Sequence, residues 1–360
     1  TISSTYYSEN FKKRIIGYEN GLLIIINETD GSLVKKVDII NKQIPNNLKR
    51  INHFMELNGL IYVSCDFGIV QFNLNTLQFG DTYFIGDVGA QINVRQTAYF
   101  NGFIYAATSN GIRRADSGNS NLIDYNQWLT VNSGDWSSVE TLDSELIAIN
   151  SSGYIHRYNS NVFVGFLQLP QSSTDMRAAN NNLLITTPDM VFVYNNQMIL
   201  IRQISNTQVL DNQLRFSCST VVGGVIYIGT NEKGLFSSIL SNQTSFINDK
   251  PSGPIRNSIF AISVTPNVLW SVYGDYTSTL NPYPLDSYGV SKLAENGWLN
   301  IPYEKVFDAK SMVNIIINPN NEKQVYASSY FSGLLKIEND EPSVLYNEKN
   351  SGLETLTFVG

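Results

Sequence analysis

Two cysteines and two histidines among 360 residues leave little for thiol or metal chemistry. Cys65 and Cys218 are too few for a disulfide framework or a thiolate metal site, and each sits in an apolar strand pattern that reads as a small core residue. His53 and His156 have no cysteine nearby and no second histidine at helical spacing, so no zinc signature forms and no metal is expected. Also missing are a G-x-S-x-G elbow, a G-x-x-x-x-G-K-[ST] loop and a G-x-G-x-x-G turn, the usual scaffolds of acyl transfer and phosphate binding. No catalytic residue and no cofactor is singled out. Carboxylates meeting across a channel are left open.

Long apolar runs are absent as well. The longest, GLLIII at 21–26, falls far short of the roughly 18 residues a spanning helix needs, so no transmembrane segment is expected. The opening TISSTYYSEN has neither a basic nor an apolar signal region, and any export signal is expected to lie upstream or to have been removed. Basic charge is scarce: the net −7 argues against a nucleic-acid partner. It is unevenly spread, with 8 Lys or Arg against 5 Asp or Glu in residues 1–50, and 16 against 26 in the rest. Lys12, Lys13, Lys35 and Lys36 make the first repeat the one mildly basic region, a candidate electrostatic patch. Solvated strand edges, where lysine blocks edge pairing, are the blander account of it.

What is present is repetition. SNGIRRAD, with its turn glycine at 111, returns as ENGLLIII (Gly21), DFGIVQFN (Gly68), SSGYIHRY (Gly153), EKGLFSSI (Gly234), SYGVSKLA (Gly289) and FSGLLKIE (Gly333), and in PDMVFVYN Met190 takes the glycine position. Spacings of 37 to 55 residues, mostly in the low forties, are those of propeller blades. Within 94–131 four short strands can be read, VRQTAYF, FIYAATS, GIRRADS and NQWLTV, separated by Asn, Gly or Ser turns. The second strand usually carries an apolar-aromatic pair: Ile61-Tyr62, Ile104-Tyr105, Ile226-Tyr227, Leu269-Trp270, Val325-Tyr326. The expected fold is an all-β propeller of four-stranded antiparallel blades, with a glycine wherever the turn before the third strand takes a positive φ.

Eight such units fit before about residue 347, and GLETLTFVG at 352–360 resembles the first strand of a ninth, so the chain reads as part of something longer. The Asn-, Ser- and Pro-rich stretch 240–257 reads as a linker. Six blades over 1–250 would then form a first propeller and residues 251–360, two blades and a strand, would begin a second. The alternative is one eight-bladed ring.

One copy departs from the pattern. Trp270 and Gly289 are separated by 19 positions, where other blades use 5 to 7. The added stretch carries Tyr273, Tyr276, Tyr283 and Tyr288, with Trp298 following, and Pro282 and Pro284 stiffen it. A long aromatic loop on the face that also holds the crossovers is a candidate recognition element, since Tyr and Trp offer stacking area with a polar tip. Packing against a neighbouring blade or domain is the blander account of it, and the favoured one.

CDFGIVQFNLNTLQFGDTYFIGDVG (65–89), QTAYFNGFIYAATSNGIRRAD (96–116) and YGDYTSTLNPYPLDSYGVSKL (273–293) resemble the PorZ family of Bacteroidetes, the surface component that delivers anionic lipopolysaccharide in the type IX secretion system. The resemblance implies two consecutive seven-bladed propellers and a C-terminal sorting domain. It also implies an outer-membrane-associated, cell-surface attachment complex with a sortase and β-barrel partners, in which cargo is joined to anionic lipopolysaccharide. It carries no ligand residue over to a position here, and no sorting domain is visible. The blade flavour GxIYxxTxxGIxRxD is shared with periplasmic propeller sensors of hybrid two-component regulators that bind an oligosaccharide, which is the alternative function. A propeller lyase is a more distant one.

Overall fold

Successive side chains of a strand point to opposite faces, and in the second strands this sends the two members of the apolar-aromatic pair into different cores. Ile61 packs with Ile15, Leu23 and Ile25 from the preceding copy, whereas Tyr62 packs with Val94 and Ile104 from the following one. The next copy repeats the division: Ile104 faces backward, and Tyr105 faces forward to Trp136, Val139 and Phe163. Sheets packed on both faces have no wet side, which is why these strands are apolar without clean alternation.

The structure, a computed structural model, describes residues 1–241, 245–249 and 251–354. Among these it holds eight four-stranded antiparallel sheets, each formed by consecutive strands in chain order. They are blades 1 to 8, over residues 2–36, 51–83, 94–132, 136–168, 175–205, 216–249, 261–301 and 312–346. Within blades 1 to 6, and again between blades 7 and 8, the first strands of successive blades lie side by side and exchange contacts, such as Gln96 Nε2 donating to Glu140 Oε2 at 2.9 Å. Within each unit that makes them the inner strands, as in the blades of a propeller.

The chain divides into two compact units, Thr1–Asp249 with blades 1 to 6 and Lys250–Gly360 with blades 7 and 8. In the first, each core cluster lies between neighbouring blades. In the second, one cluster joins Trp270, Val272 and Val290 of blade 7 to Ile315, Val325 and Leu335 of blade 8.

The turn glycine has a second cause beside its φ. Gly68 has φ +146°, and a Cβ there would stand 2.3 Å from the carbonyl oxygen of Tyr83, the last residue of the same blade's outer strand. Gly289 is not in the left-handed region at all, yet its Cβ would stand 1.8 Å from the Ile301 carbonyl oxygen at the end of the outer strand of blade 7. Close approach of the outer strand, and not backbone handedness alone, selects glycine here. Met190 is tolerated in blade 5 because its turn closes without a positive φ, through Thr187 N to Met190 O at 2.8 Å and Met190 N to Thr187 Oγ1 at 3.1 Å.

Three sequence expectations are corrected or bounded. Cys65 is buried as expected, but Cys218 is exposed on the first strand of blade 6, Phe216–Val222. The stretch 240–257 is not all linker: Ile247–Asp249 pairs with Leu235–Ser237 as the fourth strand of blade 6. The ninth-blade strand expected at 352–360 lies largely outside the described residues.

Candidate functional site

Blade 7 opens between its second strand, Leu269–Val272, and its third, Val290–Ala294. The chain that leaves is fastened before it reaches solvent. Tyr273 is buried, and its hydroxyl is shared with Ser271 Oγ at 3.0 Å and donates to Ser291 Oγ at 2.5 Å. Gly274 donates its N–H to Met312 O at 2.8 Å, an approach so close that a Cβ would meet that oxygen at 2.5 Å. On the return, Asp286 N donates to Ser311 Oγ at 2.9 Å while Ser311 N donates to Asp286 O at 2.8 Å. Both ends of the insertion are thus held by residues 311 and 312, where the crossover enters the first strand of blade 8.

Between those anchors the loop meets aromatic rings from other segments. Phe260, just before the first strand of blade 7, stacks edge-on with Tyr276 at 4.9 Å between centroids. Tyr276 is 6.1 Å from Tyr330, Tyr330 is 5.1 Å from Phe331, and Phe331 is 5.8 Å from Tyr283. Tyr330 and Phe331 lie in the connection between the second and third strands of blade 8, Asn321–Ser329 and Leu334–Glu338. The Tyr330 hydroxyl donates to the Leu280 carbonyl and ties the row to the insertion's tip. Tyr283 and Leu280 are the most open members of the surface, 58% and 61% exposed.

Of the five aromatic residues singled out from the sequence, two join this row, Tyr276 and Tyr283. Tyr273 is part of the blade's interior. Tyr288 is half-buried with the Arg256 guanidinium 4.0 Å over its ring. Trp298 lies at the other end of its sheet: Val290 beside the insertion pairs with Ile301, whereas Trp298 pairs with Leu293, three residues or roughly 10 Å along the strand. Phe260, Tyr330 and Phe331 were missed, although YFSG at 330–333 does place two aromatics in the equivalent connection of the next copy.

The four lysines do not form one patch. Lys12, in the turn after the first strand of blade 1, pairs with Glu9 at 2.8 Å, and Lys13 donates to the Leu74 carbonyl at 2.6 Å. Lys35 and Lys36 lie on the outer strand Leu33–Lys36, opposite Ile24 and Leu23, at the other end of the sheet from Lys13, whose partner is Asn27.

A titratable group sits on the inner strands of the first unit. Burial drives the Glu140 carboxyl up to about 7, against hydrogen bonds from the Thr141 and Ala178 backbones and the charge of Arg177. Burial likewise raises Asp175, 3.7 Å from Arg177, and lowers His53 to about 3. Glu140 and His53 are held by backbone donors, Thr141 N to Glu140 Oε1 and Thr97 N to His53 Nδ1, as structural groups are. Among the described residues no cluster of His, Cys, Asp and Glu is suited to a metal, and no helix is long and apolar enough to cross a membrane.

Four-stranded blades with inter-blade cores define a β-propeller protein, and its most distinctive surface is an aromatic row on an anchored insertion. Residues 1–129 match the family model described as TSS9, PorZ, N-terminal beta-propeller domain, and over that stretch the chain is similar to PorZ. The solved structure of PorZ from Porphyromonas gingivalis, described as an essential bacterial surface component of the type IX secretion system, is similar over 98% of this chain and 47% of its own, at 14% identity and a TM-score of 0.65. This chain therefore spans about half the length of that protein. The extracellular domain of the putative hybrid two-component system BT4673 from B. thetaiotaomicron is similar over 93% of this chain and 50% of its own, at 13% identity and a TM-score of 0.52. No curated protein sequence matches the chain.

Proposed function

We propose that this chain is a non-enzymatic component of the type IX secretion system. It acts at the cell surface, associated with the outer membrane, where it binds anionic lipopolysaccharide and presents it to the sortase beside the β-barrel proteins of the attachment complex. The observation that carries the assignment to this system is the match of residues 1–129 to the PorZ propeller. What supports binding is the aromatic row, whose open Tyr276 and Tyr283 offer stacking faces on a loop already held in place. In this reading residues 1–250 and 251–360 belong to two consecutive propellers. Titrating the purified chain with anionic lipopolysaccharide should give saturable binding with the glycan recovered at its original length. No binding, or steady depolymerisation abolished by a single Asp, Glu or His substitution, would overturn it.

A second reading, the oligosaccharide-binding propeller sensor of a hybrid two-component regulator, is favoured by the likeness to the B. thetaiotaomicron domain. The gene decides between them: a downstream sorting domain fits the first, a membrane helix and kinase the second.

A further inference from the structure

We infer that the aromatic row takes the uncharged rings of an oligosaccharide, several at once, and not its phosphate or carboxylate groups. The inference rests on the glycan-binding reading above and specifies which part of the ligand that site reads.

Three observations converge on it. First, Phe260, Tyr276, Tyr330, Phe331 and Tyr283 run in unbroken succession, each centroid 4.9 to 6.1 Å from the next, a longer surface than one six-membered ring can cover. Second, the two connections that carry the row hold no cation: residues 273–289 and 330–333 contain no Lys or Arg, and their only charges are Asp275 and Asp286, with the exposed Lys310 just outside them, its backbone N–H donating to Ser332 Oγ at 3.1 Å. The cationic side chains that stack on aromatics in this unit, Arg256 and Lys292, do so on Tyr288 and Trp270, off the row. Carboxylates at the rim repel an anionic group but accept hydrogen bonds from sugar hydroxyls. Third, the platform is rigid where it matters. Ser311 holds Asp286 through two hydrogen bonds, and its carbonyl accepts from Tyr330 N at 3.1 Å, so insertion and neighbouring rings share one anchor. A bound chain then has little loop to order.

Neutral stacking and anion capture differ in salt dependence, because exposed charge pairs are screened and ring contacts are not. The test uses the full chain with three probes: intact anionic lipopolysaccharide, its polysaccharide after chemical removal of phosphate, and inorganic phosphate. Each is titrated at about 50 mM and about 500 mM NaCl. The dephosphorylated polysaccharide should bind within about threefold of the phosphorylated one, salt should change affinity by less than about threefold, and phosphate should not compete. The double variant Tyr276→Ala with Tyr283→Ala, both surface positions, should lose about tenfold for both glycans while keeping its circular dichroism. Loss of binding on dephosphorylation, or a fall above about tenfold at high salt, would overturn the inference while leaving glycan binding standing. A double variant that binds intact lipopolysaccharide like the wild type would overturn the inference by placing the site elsewhere, whereas a wild-type chain that binds neither glycan would remove the glycan-binding reading itself.

Discussion

Single residues carry two separable roles, closing the blades and tuning charge inside them. Gly289→Ala forces a Cβ against the Ile301 carbonyl, a backbone atom with no side chain to give way. We expect it to destabilise the second unit by about 2 kcal/mol or more, read from the denaturant midpoint. Gly352→Ala, with open space around its Cβ, should stay within about 0.5 kcal/mol. Equal midpoints for the two would remove the close-approach argument. Glu140 supplies a prediction with a sign. Its folded carboxyl titrates near 7, above its ordinary 4.5, so the stability tied to its protonated form is complete below about 4.5 and is lost as pH rises to 7. Glu140→Gln stays neutral throughout. Its stability relative to wild type should therefore move in the variant's favour between pH 4 and 8, by up to about 3 to 4 kcal/mol at about 1.4 kcal/mol per pKa unit. A difference flat across that range, measured by chemical denaturation, would show that burial does not hold this carboxyl neutral.

At the scale of elements, the insertion is a strap with a latch. Ser311→Ala removes the hydroxyl that accepts from Asp286 N and should cost about 1 kcal/mol locally, seen as faster amide exchange at Asp286 while the inner strands of blades 7 and 8 keep their protection. Trp298→Ala, on the far end of the sheet, should leave glycan affinity unchanged within about twofold, and a tenfold loss would contradict the placement of the site. The blades were legible in the sequence because turn residues and β-branched strands recur at fixed offsets. The third strands Gly68–Asn73, Gly111–Asp116 and Gly234–Ile239 begin at the repeated glycine, and Tyr154–Asn159 begins one residue after it. The insertion was legible as a departure from that spacing. Its partners were not, because Phe260 and Tyr330 reach Tyr276 through the packing of separate segments, which no local pattern encodes. Trp298 could have been placed correctly by counting: the ENG turn at 295–297 puts it at the hairpin end away from Val290. The lysines failed as a patch for a similar reason, since residues 13 and 36 face opposite ends of one sheet.

For the whole molecule, the two compact units make a prediction about cooperativity. Ile315→Ala cuts the core shared by blades 7 and 8, and Phe54→Ala cuts that between blades 1 and 2, each by about 3 kcal/mol. Calorimetry should show each substitution lowering a different transition, and a single transition lowered by both would mean one cooperative body. The central claim is that recognition belongs to the second unit's aromatic row and not to the basic first blade. Its most direct test is the dissociation constant for anionic lipopolysaccharide of three proteins: the wild-type chain, the Tyr276→Ala, Tyr283→Ala and Tyr330→Ala variant, and the variant with Lys12, Lys13, Lys35 and Lys36 all changed to Ala. The account predicts at least about tenfold weaker binding for the aromatic variant and a change within about twofold for the lysine variant, on the scale of ring-stacking energies. The reverse order, with the aromatic variant binding like wild type and the lysine variant weakened tenfold, would contradict it.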